Sequence, residues 1–306
     1  MEKILVFGHK NPDTDTICSS IVMEIFNNKI GKETEAIRLG NINKETKFAL
    51  NFAGVNEPKL LEKLEDRAKV VLVDHNEFSQ SAYNIENAVI EMVVDHHRIC
   101  DFRTSEPLYY RAEPVGCTST IIYKMFIESG ISIDRKEAIL MLSAIISDTL
   151  LFKSPICTLE DEEAGKKLAQ IANIDINKYG LDMLKAGTDT TDLSASQIIN
   201  LDAKSINIGK LKTVIAQINT ASIEDMLKRK EELEIAIKDE IKNKNLDLFL
   251  LAITDIIKNN SQVISLGESS KLVEKAYDTK LIDNTCLLKG IVSRKKQIIP
   301  VLERCI

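Results

Sequence analysis

Three short apolar runs in the first third of the chain, Lys3–Phe7 (KILVF), Val70–Val73 (VVLV) and Glu91–Val94 (EMVV), are bounded by polar clusters. Such runs suit strands buried on both faces of a parallel sheet. Between and after them, apolar residues recur at helical spacing and predict helices over Thr16–Asn27, Lys44–Phe52, Ser119–Ser129, Arg135–Ile146 and Glu160–Ala172. Strand alternating with helix predicts an α/β fold with a mostly parallel sheet flanked by helices. In such sheets ligands bind just beyond the carboxyl ends of the strands. Chemistry is therefore to be sought immediately after VVLV and EMVV.

The segment Gly187–Ser196 (GTDTTDLSAS) is small, polar and poor in apolar residues, and reads as a linker. It divides the chain into an N-terminal domain at 1–187 and a smaller C-terminal α/β domain at 197–306, joined by 188–196. Beyond it, Ser205–Ile218 reads as a hairpin turning near Asn207–Lys210. A charged helix is predicted from Ser222 to about Lys244, with Leu227, Leu233, Ile237 and Ile241 inward and Glu224/Lys228 and Glu234/Lys238 spaced for pairing. Leu248–Ile253, Gln262–Ser265 and Ile298–Leu302 read as strands.

Composition narrows the class. The 306 residues suggest about two domains. With 44% hydrophobic and 28% charged residues, disorder and collagen-like structure are excluded. No apolar run approaches the roughly 18 residues of a membrane span, and the opening MEKILVFG is too short in apolar residues for a signal peptide. The six cysteines form no CxxC pair, which fits free thiols in a reducing cytoplasm. A net charge of −6 and the absence of Trp argue against nucleic acid as a partner.

The four histidines all fall just past a predicted strand and beside aspartates: Gly8-His9-Lys-Asn-Pro-Asp13-Thr-Asp15, Asp74-His75-Asn76, and Asp95-His96-His97. A further cluster, Ser147-Asp148-Thr149, ends the apolar run at Ile139–Ile146. A single such histidine is more often a satisfied hydrogen-bonding group than a ligand. The constellation is another matter, because bare carboxylates gathered in one crevice repel one another and raise each other's pKa. Divalent cations relieve that repulsion. Mixed imidazole and carboxylate donors suit Mn, Fe, Co or Zn better than Mg or Ca, and the number of donors suggests two ions. Asp13 and Asp15 can aim at adjacent ions, with Asp74 and Asp148 free to bridge. A water held between ions about 3.5–4 Å apart becomes a hydroxide near neutral pH, chemistry that cleaves phosphorus esters and anhydrides.

A polyphosphate substrate needs cations beyond the metals. The second domain offers Ser293-Arg294-Lys295-Lys296-Gln297 and Lys204. Arg supplies a planar fork for two phosphate oxygens, Lys a point charge.

GHKNPDTD, DHN, DHH and SDT, followed by Lys204 in its DAKS setting and SRKKQ, resemble the family II inorganic pyrophosphatases of the DHH phosphoesterase superfamily over essentially the whole chain. The resemblance implies a DHH domain and a DHHA2-type domain with the active site in the cleft between them. It implies one ion on His9, Asp13, Asp74 and Asp148 and a second on Asp15, Asp74, His96 and Asp148. His97 would contact the substrate near its bridging oxygen and assist the leaving phosphate, while Lys204, Arg294 and Lys295 hold the phosphates. Mn or Co would fill the paired sites, with Mg accompanying pyrophosphate. The C-terminal domain would close over the N-terminal one, and the chain would form a homodimer through its N-terminal domain, with no nucleic-acid or membrane partner. His75, Asp95, Lys296 and Gln297 are expected to support these groups. Two rivals remain: a DHH phosphodiesterase acting on short or cyclic oligonucleotides, and a phosphate-binding regulator that has lost catalysis. The first lacks its usual Gly-rich, His-bearing run here; the second is disfavoured by the complete ligand set.

Overall fold

The computed structural model describes residues 3–305, which divide into two compact units, one ending at Gly187 and the other beginning at Thr188. Among the described residues no helix is long and apolar enough to cross a membrane.

The first unit runs β1 (Ile4–Phe7), α1 (Thr14–Lys29), β2 (Thr34–Arg38), α2 (Lys44–Ala53), β3 (Lys59–Leu60), β4 (Lys69–Val73), β5 (Val89–Asp95), β6 (Tyr109–Ala112), α3 (Thr118–Glu128), α4 (Arg135–Thr149), α5 (Leu159–Ala172) and α6 (Ile176–Gly187). Its six strands pair in parallel in the order β3-β2-β1-β4-β5-β6. The three runs singled out by their apolar text are the central strands. Val6, Phe7, Val70 to Val73, Val93 and Val94 are fully buried, as expected for strands covered on both faces. The parallel pairing lines up the carboxyl ends of β1, β4 and β5 side by side, which is what gathers the motifs following them. The helices start where side chains satisfy their first N–H groups. Asp13 caps α1, and capping boxes at Asp134/Glu137 and Thr158/Asp161 open α4 and α5.

The end of α4 is unusual. Leu150, Leu151 and Phe152 all have positive φ, at 47°, 55° and 63°. Leu150 N–H bonds Ser147 O and Leu151 N–H bonds Ile146 O, the helix stop that normally carries a glycine. Left-handed backbone costs L-residues about 1–2 kcal/mol each, so three in succession need an outside source of stability. Gly165 in α5 and Gly180 in α6 carry a further local cost, since an interior helical glycine is about 1 kcal/mol worse than alanine.

The second unit contains α7 (Ala195–Asn200), β7 (Ala203–Ile208), β8 (Leu211–Thr220), α8 (Ile223–Leu227), α9 (Lys230–Lys244), β9 (Leu248–Asp255), β10 (Asn260–Leu266), α10 (Leu272–Tyr277), β11 (Thr285–Lys289) and α11 (Ile299–Glu303). Its mixed sheet has the order β11-β10-β9-β8-β7, with only β8 and β9 parallel and α9 lying in the crossover between them. One face packs on Ile198, Leu233 and Ile237 and the other on Val273 and Leu302.

Several expectations are corrected here. Ile298–Leu302 is helical, not a strand. A wide turn at Arg294–Ile298, in which Ile298 N–H reaches Ser293 O, leads into α11 with Pro300 in its first turn. Proline's fixed φ and missing N–H suit that position and no central strand. The helix expected from Ser222 to Lys244 is two helices, interrupted at Lys228–Arg229, where the Arg229 guanidinium donates to the carbonyls of Thr190 and Leu193. Lys228 pairs with Asp225 at 2.6 Å rather than with Glu224. Ser194 caps α7, so Ala195 and Ser196 of the expected linker are already helical.

Candidate metal centre

His9 follows β1, and its Nε2 lies 3.4 Å from Asp13 Oδ2 and 3.5 Å from Asp74 Oδ2. Gly8 permits this approach, because a Cβ there would sit 2.5 Å from the Thr16 side chain at the start of α1. Asp13 is divided between two tasks: its Oδ1 caps α1 through Thr16 N–H at 2.9 Å, leaving Oδ2 toward His9. Asp15 is wholly buried in the first turn of α1. Its carboxylate accepts from Ser19 Oγ at 2.6 Å and from the backbone N–H groups of Thr118 at 2.7 Å and Ser119 at 3.3 Å. The amino end of α3 thus serves Asp15, a position that favours negative charge.

Asp74 directly follows β4 in the left-handed region, with φ 58°. Thr16 donates to its Oδ2 at 2.6 Å and Thr118 to its Oδ1 at 3.1 Å. Beyond β5, His96 Nε2 lies 3.5 Å from Asp74 Oδ1 and 3.8 Å from Asp148 Oδ2. Its Nδ1 donates to Val115 O at 3.0 Å, which leaves Nε2 directed at the carboxylates. Asp148 comes from the last turn of α4.

These atoms fall into groups in which every donor lies within 4.8 Å of the others: His9/Asp13/Asp74, Asp15/Asp74/His96/Asp148 and Asp74/His96/His97. The second group is the complete ligand set expected for one ion. The first has three of the four expected for the other, without Asp148. The donor separations fit a shared cation, because ligands about 2.1 Å from an ion at near-tetrahedral angles stand about 3.4 Å apart. The electrostatics agree. Burial, then the charge of Asp15, pushes the Asp74 carboxyl up to about 7, and burial followed by Asp15 and Asp74 raises Asp148 well above the usual carboxylate range. Burial works to lower the His96 imidazole, but its contact with Asp74 and the charge of Asp15 outweigh it and raise the group to about 9. Cation binding must therefore displace protons. The metal-free centre holds protons on His96, Asp74 and Asp148 more tightly than free side chains would, so Mn affinity should climb with pH. Calorimetry in buffers of different ionisation enthalpy measures the release, and a pH-independent affinity between 6 and 8 would contradict it.

His97 is half exposed and differently held. Its Nδ1 is 2.9 Å from Asp95 Oδ1, which also accepts the His97 backbone N–H at 3.1 Å. Asn76 donates to Asp95 Oδ2 at 2.6 Å and to Arg98 O at 2.9 Å, and accepts from Cys100 N–H at 2.8 Å. This chain fixes the imidazole with Nε2 outward, beside a cleft lined by His9, Asn11, Asp74, Asn76, His97 and Arg98. His75 takes no part in the cluster. Its nitrogens meet Val73 O and Ser81 Oγ, and burial drives it down to about 4, so it is neutral.

Sequence reasoning did not single out Thr16, Thr118, Asn76 or Glu45. Glu45 is a carboxylate raised by burial that accepts hydrogen bonds from Thr14 and Ser147. Only the hydroxyl-rich text around Asp15 and the DHN string hinted at these groups.

In the second unit, Arg294 is nearly buried and donates to Asp202 O, to Asp202 Oδ1 at 2.8 Å and to Ile215 O at 3.4 Å. Ile215 is the cross-strand partner of Lys204, so Lys204 and Arg294 share one corner of the sheet, with Lys295 exposed beside it. Gln297 is a staple. It accepts from Val292 and Ser293 N–H and donates to Gly290 O.

The "DHH family, N-terminal domain" model matches residues 3–145 and the "DHHA2 domain" model residues 181–305. The manganese-dependent inorganic pyrophosphatase of Bacillus subtilis (strain 168) is 54% identical over 303 residues, covering 99% of this chain and 98% of that one. A Bacillus velezensis relative assigned provisionally to the same activity matches to the same extent, 54% over 303 residues. A crystal structure from Methanococcus jannaschii, assigned provisionally to the family II inorganic pyrophosphatases, superposes with a TM-score of 0.64 at 38% identity, covering 100% of this chain and 99% of that one.

Proposed function

Because the chain belongs to the family II, manganese-dependent inorganic pyrophosphatases, we propose that its aspartate–histidine cluster and the basic residues of its second unit divide the work of cleaving pyrophosphate. The activity is hydrolysis of inorganic pyrophosphate at a metal centre. The proposal concerns which residues do what.

His9, Asp13, Asp74 and Asp148 hold one ion, and Asp15, Asp74, His96 and Asp148 the other. When bound, such ions neutralise phosphoryl oxygens and make water a nucleophile near neutral pH. The single observation carrying this reading is Asp74, which belongs to every donor group and is held by two threonine hydroxyls with both oxygens aimed into the cluster. Thr16, Thr118 and the start of α3 keep the carboxylates spread before any cation arrives. His97, held through Nδ1 by Asp95, presents Nε2–H to the bridging oxygen of pyrophosphate and passes its proton to the departing phosphate. Lys204, Arg294 and Lys295 bind the phosphates. A guanidinium has five N–H donors, so Arg294 retains capacity for phosphate while Asp202 orients it. Mn or Co occupies the two sites, with Mg accompanying the substrate. The reading includes a homodimer through the first unit, no nucleic-acid or membrane partner, and a cytoplasmic setting in which the unpaired cysteines stay reduced.

Metal-stripped protein resupplied with Mn, Co, Zn or Mg and given pyrophosphate, tripolyphosphate or a cyclic dinucleotide tests the assignment. Strong phosphate release from pyrophosphate is expected with Mn and Co, at two ions per chain. Turnover of the dinucleotide above that of pyrophosphate would overturn the substrate, and one ion at saturation would overturn the paired site.

A further inference from the structure

The left-handed turn after Asp148 is seated against glycines of α5 and α6, and Thr149, just before it, against Gly116. A Cβ on Gly165 of α5 would stand 2.6 Å from Phe152 Cζ, and one on Gly180 of α6 would stand 2.5 Å from Leu151 Cδ1. A Cβ on Gly116 would meet Thr149 Cγ2 at 3.0 Å and Asp161 Oδ2 at 2.8 Å. Asp161 is a buried carboxylate that accepts Gly116 N–H at 2.8 Å. Gly116 also lies two residues before Thr118, which donates to Asp15 and Asp74. Two locally unfavourable choices thus coincide: branched and aromatic residues where a glycine belongs, and glycines inside helices where an alanine would serve. Each accounts for the other, because the side chains of the turn dock where no Cβ stands.

We propose that Gly116, Gly165 and Gly180 are positioning residues for the metal centre, forming a socket that fixes Thr149 and the turn at 150–152 and thereby sets where the last turn of α4 presents Asp148. The proposal rests on Asp148 being a ligand. Thr149, Leu151 and Phe152 follow that ligand directly, so a displaced turn moves the carboxylate against Asp15, Asp74 and His96. The coupling is mechanical.

The test is Mn affinity, read by calorimetry beside melting of the metal-free protein. Alanine at 165 or 180 improves helix propensity, so a socket of no consequence predicts unchanged Mn binding. G165A and G180A should instead weaken Mn binding about 10–100-fold, the range for groups that orient a ligand, and F152L/G165A, which returns the space, should recover most of it. Phe152→Ala removes the plug without a clash and should show the same loss, which keeps the test available if G165A does not fold. Glycine variants that melt lower yet bind Mn as the wild type would overturn the socket. D148N run alongside separates the two readings: if it binds Mn normally, the ligand assignment falls and this proposal with it. If D148N loses affinity and the glycine and Phe152 variants do not, the socket alone falls.

Discussion

Asp74→Asn should abolish Mn-supported turnover by about 10³-fold or more, the loss that follows when a preorganised charge is taken from a catalytic centre. The same substitution should make the metal-free protein melt higher. Both follow from one carboxylate belonging to all three donor groups while buried among Asp13, Asp15 and Asp148. An amide keeps an oxygen for Thr16 or Thr118 but cannot supply charge to two ions. Without ions the lost charge is a relief. Burial and the charge of Asp15 push the folded carboxyl up to about 7, against about 4 for an ordinary aspartate, so the native state binds the proton more tightly than the unfolded chain. Metal-free wild type therefore loses stability as pH rises from about 4 to about 7, and the asparagine variant escapes that loss. The melting gap should be widest above pH 7 and close toward pH 4, whereas with saturating Mn the order reverses. A variant that stays active, or a metal-free gap that does not change with pH, would remove Asp74 from the centre of the site.

His97→Gln should lower kcat by roughly 10²–10⁴-fold, the usual contribution of a positioned proton donor, and leave Mn affinity within a few-fold of wild type. The His97 nitrogen nearest Asp74, Nδ1 at 3.8 Å, is already bonded to Asp95 at 2.9 Å. An ion placed in the Asp74/His96/His97 group would have to break that bond, so His97 is better placed to act on substrate. The Asp95 hydrogen bond also raises the imidazole above its ordinary value, the direction that favours a proton donor. A large fall in Mn affinity, with kcat restored at high Mn, would make His97 a ligand instead.

Strong patterns were legible and marginal ones were not. KILVF, VVLV and EMVV are apolar on both faces, so nothing competes with a buried strand. Thr34–Arg38 (TEAIR) and Tyr109–Ala112 (YYRA) carry too little apolar text to stand out, and become strands because β1 and β5 offer open edges. Helix α6 contains Gly180, which its propensity argues against and its neighbour Leu151 requires. Ile298–Leu302 was misread because a five-residue apolar run has no period, and only Pro300 marked it as helical. In the candidate site, the carboxylates and imidazoles that the fold gathers stood out in the sequence because so few residue types can do that chemistry. The groups that aim them were not, since Thr16, Thr118 and Asn76 differ from any surface threonine or asparagine only in what they face after folding.

The order of residues in the centre has a consequence for how the protein matures. Its donors come from four separated passages, around His9–Asp15, Asp74, His96–His97 and Asp148, brought together by parallel pairing of β1, β4 and β5. Pairings this distant along the chain close late, after the entropy of long loops has been overcome. In a small zinc module the ion and the fold appear together because the ligands are neighbours. A cation that needs donors from all four passages would meet its full ligand set only once the sheet exists, so loading is expected to follow folding, and refolding rates should not change when Mn is present from the start.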